Sequence, residues 1–189
     1  APLATYGIHV KGSLATNGTD NLLIADVTMR NINTDGIYIT ETGDSTIRNV
    51  FMEDGGGSGI YLCDDVDDMT IELCLLDRTG DYGINLNGST RDIVMDNNVI
   101  HDVNQYGIRV GPVTNQTIVR ASNLFFDNIV GNVIEEEGSQ NVTIEQENID
   151  KPIDDIKYAV ETLRPHHTGF GISVYWSPFD GDDGDTGLI

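Results

Sequence analysis

The sequence predicts an all-β solenoid, a parallel β-helix of about six coils with three strands in each coil. Three observations support this class. A four-residue motif recurs at nearly constant intervals, two further apolar motifs keep pace with it, and no amphipathic helical pattern lies between them. Gly, Asp, Asn, Ser and Thr separate the β-rich stretches, as is typical of turns. One interval therefore corresponds to one coil, and each strand is expected to pair in parallel with its copy in the next coil.

The leading motif is Gly-Ile-x-Ile, with Leu or Val also found at its last position. Its copies begin at Gly7, Gly36, Gly59, Gly83 and Gly107, and a degenerate sixth copy is aligned at Gly131. Apolar residues alternate along each copy, so one side of each strand is predicted to face the core. The alignment predicts three inward columns: Ile37, Ile60, Ile84 and Ile108; Ile39, Leu62, Leu86, Val110 and Ile134; and Met29, Met52, Leu76, Ile100 and Phe125.

A further column lies just before the third strand of each coil and changes from apolar to amide side chains. It consists of Val27, Val50, Cys74, Asn98, Asn123 and Asn148. Three successive Asn at one bend indicate an inward amide ladder in which each side chain bonds to the next coil. Cys74 is then expected to be a buried free thiol, the alternative being a disulfide with Cys63.

These repeats resemble the right-handed parallel β-helix repeats of the pectate-lyase-like superfamily, which includes pectate lyases, polygalacturonases, alginate epimerases and viral tailspikes. The resemblance covers residues 7–150 of a predicted β-helix domain that spans residues 1–150, and it implies the fold, whereas the repeat residues themselves carry no activity. Residues 151–189 lack the repeat and predict a short helix, a strand or hairpin and an acidic tail. We expect this segment to form a C-terminal cap, the alternative being an oligomerisation element. The resemblance to tailspikes implies a homotrimer.

The charge of the chain narrows its partners. Asp and Glu number 31 against 10 Lys and Arg, which gives a net charge of -21. Nucleic acid and anionic membrane surfaces would be repelled, and no apolar run is long enough for membrane insertion. An acidic surface with few Lys is typical of proteins from halophiles, the alternative being an ordinary acidic extracellular domain. The chain opens on Ala1 without a leader peptide, so we expect a processed or trimmed chain whose upstream part is missing. The resemblance to tailspikes implies an extracellular location, at a cell or virion surface.

Two residues are candidates for catalysis. Asp35 lies in Asn-Thr-Asp-Gly, which resembles the polygalacturonase signature, yet Gly57 and Ser58 occupy the position where that family carries its second carboxylate pair. Pectate lyases use an Arg base beside acidic Ca²⁺ ligands, and Arg109 has no acidic neighbour in its own column. We therefore expect a non-catalytic module, with a polysaccharide lyase or glycoside hydrolase as one alternative and a purely structural segment as another.

Outward positions of the leading strand carry the residues expected to bind a glycan or a protein partner. These are Tyr38, Tyr61, Tyr82, Tyr106 and Arg109. Tyr38 and Tyr61 should lie one coil apart, as should Tyr82 and Tyr106, and such aromatic ladders suit the apolar faces of sugars. The alternative is that the rings only pack against each other and stabilise the sheet.

Two further sets of residues have weaker sequence signals. The acidic tail offers candidate Ca²⁺ ligands without the spacing of an EF-hand, and no other cofactor is expected. Four sequons in predicted turns are candidate glycosylation sites. The tail residues are Asp180, Asp182, Asp183 and Asp185, and the sequon residues are Asn17, Asn87, Asn115 and Asn141.

Overall fold

The computed structural model describes residues 6–12 and 19–145, and within these ranges the secondary structure is entirely β. The strands are β1 (Ile8–Lys11), β2 (Thr19–Asp20), β3 (Leu23–Ile32), β4 (Ile37–Gly43), β5 (Ser45–Gly55), β6 (Ile60–Val66), β7 (Met69–Glu72), β8 (Leu75–Thr79), β9 (Ile84–Asn87), β10 (Ile93–Asp96), β11 (Val99–His101), β12 (Tyr106–Val110), β13 (Ile118–Val119), β14 (Leu124–Phe126), β15 (Gly131–Glu135) and β16 (Thr143–Ile144). The predicted segment 151–189 and its helix lie outside the described residues.

The strands form three faces of a solenoid, and every pairing between them is parallel. Face A contains β1, β4, β6, β9, β12 and β15, with β2 paired to the end of β4. Face B contains the first halves of β3 and β5 together with β7, β10, β13 and β16. Face C contains the second halves of β3 and β5 together with β8, β11 and β14. The chain therefore runs A, B, C and back to A, which confirms the predicted parallel β-helix. The described residues form about five turns, against the six coils predicted.

The core is built from the inward columns that the repeat predicts. Ile37 pairs with Ile60, Ile60 with Ile84 and Ile84 with Ile108, and all four are fully buried. The column from Met29 to Phe125 on face C is likewise buried and in register. Each buried aliphatic side chain contributes about 1.5–3 kcal/mol, so these ladders supply most of the driving force for folding.

The last coil departs from the alignment by one residue. Ile108 pairs with Val133 and Arg109 pairs with Ile134, so Gly131 lies opposite Tyr106. The predicted alignment of Gly131 with Gly107, and of Ile134 with the inward Val110, is therefore wrong. The preceding coil contains one extra residue, and a register shift of one residue exchanges inward and outward side chains.

The glycine of the motif is required by the close approach of neighbouring coils. A Cβ atom on Gly36 would lie 2.6 Å from the carbonyl oxygen of Gly59, and a Cβ on Gly83 would lie 2.6 Å from that of Gly107. The inward side chains of face C fill the remaining space, since a Cβ on Gly83 would also meet Ile100 at 2.3 Å. The repeated Gly therefore has a packing role.

In most of the described coils, each of the three bends uses a residue with positive φ. The bend before face B has Asn21, Asp44, Asp68, Asp92, Gln116 and Asn141; the bend before face C has Asp26, Asn49, Leu73 and Asn97; the bend after face C has Asn31, Asp54, Arg78, Asp102 and Asp127. All but Leu73, Arg78 and Gln116 are Asp or Asn, the non-glycine residues that adopt this conformation at least cost. Many acidic residues of the chain therefore have a place in its backbone geometry.

The amide ladder is confirmed for its described members. The Cys74 backbone N–H donates to Asn98 Oδ1 at 3.0 Å, and both the backbone N–H and Nδ2 of Asn98 donate to Asn123 Oδ1 at 3.0 Å. Asn98 and Asn123 are fully buried, and Asn148 lies outside the described residues. Cys63 and Cys74 are free buried thiols, so the disulfide alternative is wrong.

Candidate functional site

The outward side of face A carries four neighbouring rings, which we call the aromatic row: Tyr6, His9, Tyr38 and Tyr61. The Tyr38 ring meets the Tyr61 ring edge to face, with centroids 5.3 Å apart. His9 meets Tyr38 in the same manner at 5.0 Å, and Tyr6 lies tilted 5.1 Å from Tyr38. Parallel pairing of His9 with Tyr38 and of Tyr38 with Tyr61 sets this spacing. The row therefore follows the solenoid axis on a rigid sheet.

Hydrogen bonds hold the two central rings of the row. The Cys63 thiol and the Tyr38 hydroxyl form a hydrogen bond at 3.2 Å, and Asn87 Nδ2 donates to the Tyr61 hydroxyl at 2.8 Å. The bond to Cys63 and partial burial raise the pKa of Tyr38 well above its usual value. Both side chains remain partly exposed. The two central tyrosines therefore present oriented rings to solvent.

Arg109 lies on β12, two strands beyond Tyr61 on face A, and is held in an ion pair with Glu136. Its Nε and Nη2 donate to the two carboxylate oxygens of Glu136, each at 2.8 Å, and its Nη1 donates to Asn85 Oδ1 at 2.9 Å. Its guanidinium lies over the Tyr82 ring, 5.6 Å from the centroid. The bonds to Glu136 raise the pKa of Arg109 above its usual value. A guanidinium so stabilised in its protonated form is unsuited to act as a base.

Tyr82 and Tyr106 do not form the second ring pair that the sequence predicts. The Tyr82 ring carries the Arg109 guanidinium, and Tyr106 lies beside Gly131. The aromatic contacts of the described residues do not join the two rings. The ion pair between Arg109 and Glu136 depends on the corrected register of the last coil. That register places Glu135 opposite Val110, so that Glu136 lies within reach of Arg109.

Asp35 lies at the edge of face A and is partly buried. Its Oδ1 accepts the backbone N–H of Ser58 at 2.7 Å. Burial raises the pKa of the Asp35 carboxyl, and the charge of Asp81 raises it further. The pair Asp64 and Asp65, in contrast, forms a positive-φ bend within β6 and is exposed. A single carboxyl with a raised pKa suits a general acid, but catalysis also needs a partner group.

A second polar cluster, absent from our sequence-based candidates, lies on the outward side of face C. It consists of Asp77, His101 and Asp102, with Arg78 beside them. His101 Nδ1 lies 3.1 Å from Asp102 Oδ2 and 3.4 Å from Asp77 Oδ1, while Arg78 Nη1 donates to Asp77 Oδ2 at 2.6 Å. The sequence alignment contains this signal. Asp77 and His101 each follow a member of the Met52 column directly, so the alignment makes them neighbours on successive coils.

The remaining predicted residues divide between the described ranges and the rest. Asn87 is partly buried and bonded to Tyr61, and Asn141 Nδ2 donates to Asn115 Oδ1 at 3.0 Å. Asn17 lies outside the described residues, as do the candidate Ca²⁺ ligands of the tail, Asp180, Asp182, Asp183 and Asp185. Glycosylation and Ca²⁺ binding stay predictions. Among residues 6–12 and 19–145, no helix has the length and apolarity to cross a membrane.

Comparison with known proteins agrees with this geometry. The sequence matches the family described as the right-handed beta helix region over residues 4–150, which is most of the chain. The chain belongs to the right-handed β-helix family. No curated protein matches the sequence. For a right-handed β-helix protein the repeat explains the fold, so any activity must be argued from the outward side chains.

Proposed function

We propose that this β-helix protein is a non-catalytic module of a cell or virion surface that binds a glycan through the aromatic row of face A. The single observation that carries the proposal is the run of partly exposed rings at coil spacing, from His9 through Tyr38 to Tyr61. Ring faces and edges complement the apolar C–H surfaces of sugars, and the nearby hydroxyl and amide groups supply hydrogen bonds.

Rigidity supports binding at this surface. The rings stand on parallel strands and are oriented by Cys63 and Asn87, so little side-chain freedom is lost when a ligand binds. Two coil steps of about 4.8 Å each separate His9 from Tyr61. The row therefore offers an extended contact of about 10 Å to a linear ligand.

The electrostatics favour a neutral glycan over an acidic one. The net charge is -21, and the cations on the described strands of face A are Lys11, at the end of β1, and Arg109, which is already paired with Glu136. At that face an acidic polysaccharide would meet repulsion without a free guanidinium to offset it. A glycan array at low and molar salt tests this preference, since only the binding of acidic glycans should depend strongly on salt.

Loss of either central ring should weaken glycan binding. We expect Tyr38→Ala and Tyr61→Ala each to reduce affinity about fivefold, because about 1 kcal/mol of aromatic contact is lost. Tyr38→Phe is the matched control, since it keeps the ring and removes only the hydroxyl. Isothermal titration with the best array ligand measures the change. Equal affinities for wild-type protein and both alanine variants would show that the rings only pack against each other.

The raised pKa of Asp35 favours a second candidate function, a glycoside hydrolase that uses this carboxyl as a general acid. Under that alternative Asp35→Asn abolishes turnover of a polysaccharide that wild-type protein degrades. Under the binding proposal, wild-type protein degrades none of the glycans that it binds. A reducing-end assay over the glycans of the array separates the two functions.

Asp35→Asn also has an expected effect on stability. The folded-state pKa of Asp35 lies above its usual 3.8, so its ionisation weakens the folded state as pH rises through that interval. Asn removes the desolvated charge and retains the oxygen that accepts the Ser58 N–H. We expect Asp35→Asn to raise the melting temperature at pH 7 and leave it nearly unchanged at pH 3. A lower melting temperature of the variant at pH 7 would contradict this.

We further propose that the protein comes from a halophile, in which case salt should stabilise its fold. Asp44, Asp68 and Asp92 occupy successive copies of one bend, so like charges recur at coil spacing. Raising salt from about 0.1 M to 1 M shortens the Debye length from about 10 Å to about 3 Å. We expect the melting temperature to rise by several degrees, and Asp68→Asn to reduce that rise. An unchanged melting temperature in wild-type protein would oppose a halophilic origin.

The homotrimer and surface location complete the proposal. Light scattering of the whole chain measures the oligomeric state. A monomer at all concentrations would contradict the tailspike-like trimer. Glycan binding by face A does not depend on that outcome, because every ring of the row comes from one chain.

A further inference from the structure

We propose that Asp77, His101 and Asp102 bind a divalent transition-metal ion, best matched by Zn²⁺, which joins two coils on the outward side of face C. The ligand atoms are Asp77 Oδ1, His101 Nδ1 and Asp102 Oδ2. One ligand atom from each of the three residues lies within 4.8 Å of the other two. Asp77 belongs to β8, whereas His101 ends β11 and Asp102 forms the bend after it.

The distances fit a shared ion. Zn²⁺ binds nitrogen and oxygen at about 2.0–2.2 Å, so two tetrahedral ligands lie about 3.4 Å apart. His101 Nδ1 is 3.4 Å from Asp77 Oδ1 and 3.1 Å from Asp102 Oδ2. One imidazole nitrogen with two carboxylates favours zinc over Ca²⁺ or Mg²⁺, which prefer oxygen ligands throughout.

Hydrogen bonding alone leaves this cluster incomplete. His101 Nδ1 carries at most one proton, which cannot serve two carboxylates at once. The Asp77 side chain is 1% exposed, and its Oδ1, which faces His101 Nδ1, has no hydrogen-bond partner. A buried carboxylate oxygen left without a partner is costly. A metal ion placed between the three side chains would satisfy this oxygen together with His101 Nδ1.

The neighbours of the cluster hold its ligands in position. Arg78 donates to the other oxygen of Asp77 and leaves Oδ1 turned toward His101. The Phe126 ring stacks on His101 at 4.5 Å with an interplanar angle of 9°, which fixes the imidazole plane. Phe51, Leu75 and Val99 form a buried apolar cluster on the same side of face C. Arg78 and Phe126 therefore orient two of the ligands, whereas His101 Nε2 is buried without a hydrogen-bond partner, unlike the outer ring nitrogen of most metal-bound histidines.

Titration of the whole chain with Zn²⁺ tests the site. The background variant His166→Asn, His167→Asn removes the histidines of the C-terminal segment as competing ligands. Ca²⁺ and Mg²⁺ at equal ionic strength report the diffuse cation binding expected of a chain with net charge -21. We expect one zinc ion per chain, and a melting temperature higher by about 5–10 °C at a zinc concentration of 100 Kd.

Variants locate the ion. We expect His101→Asn and Asp102→Asn each to weaken zinc binding at least about tenfold. Asp127→Asn is the matched control, because Asp127 occupies the same bend as Asp102 one coil further along and is exposed. Asp102 is half exposed, so Asp102→Asn decides the test even if His101→Asn misfolds. Absence of a 1:1 zinc complex in the background variant, or equal losses for Asp102→Asn and Asp127→Asn, would overturn the proposal.

Discussion

Gly83→Ala is expected to destabilise the protein by about 3 kcal/mol or more. The new Cβ would lie 2.6 Å from the Gly107 carbonyl oxygen and 2.3 Å from Ile100 Cγ2. The carbonyl belongs to a strand paired in register on the next coil, so it cannot move without breaking the ladder. Overpacking commonly costs about 1–3 kcal/mol, and a backbone obstacle places this site at or above the upper end. Urea unfolding followed by circular dichroism measures the loss.

Gly131→Ala is the matched control for this substitution. Gly131 looks like the same motif position in the sequence, but a Cβ there would meet only the Tyr106 ring, at 3.1 and 3.2 Å. Tyr106 is partly exposed and can move slightly, so we expect a change of less than about 1 kcal/mol. Equal losses for the two glycines would mean that the register of the last coil is the one the sequence predicts.

The sequence predicts this fold well because a solenoid repeats its constraints. The close approach of Gly83 to the Gly107 carbonyl oxygen, for example, recurs from each motif glycine to the next coil. Glycine is therefore needed at the same interval along the chain. The inward ladders from Ile37 to Ile108 follow from the same alignment. The prediction fails at Gly131, where the repeat is degenerate and the coil gains a residue, because only strand pairing can then place the insertion.

The site is less predictable, since it depends on side-chain orientation. The column alignment places Tyr38 beside Tyr61, but it cannot show that Arg109 covers Tyr82, because that contact follows from the pairing of Arg109 with Glu136. The cluster at His101 was missed for a related reason. Its column is an outward polar one that ends on an aromatic residue, and only the geometry shows which carboxylate oxygen lacks a partner. The column consists of Arg30, Glu53, Asp77, His101 and Phe126.

Asn123→Ala should cost about 3 kcal/mol. Asn123 Oδ1 accepts two hydrogen bonds from Asn98, and its Nδ2 donates to the carbonyl oxygens of Met95 at 2.9 Å and Arg120 at 2.8 Å. The substitution leaves these groups without partners in a fully buried position. An unsatisfied buried group costs about 1–3 kcal/mol, and partial relaxation keeps the total below the simple sum.

Two further variants make the ladder prediction specific. Asn104→Ala removes an exposed amide that has no described side-chain bond, so its effect should stay below about 0.5 kcal/mol. Asn123→Asp keeps the acceptor for Asn98 but loses both donors and buries a charge, so at pH 7 it should destabilise at least as much as Asn123→Ala. Urea unfolding compares all three variants under one condition. If Asn123→Ala proves as mild as Asn104→Ala, the amide column does not hold adjacent coils together.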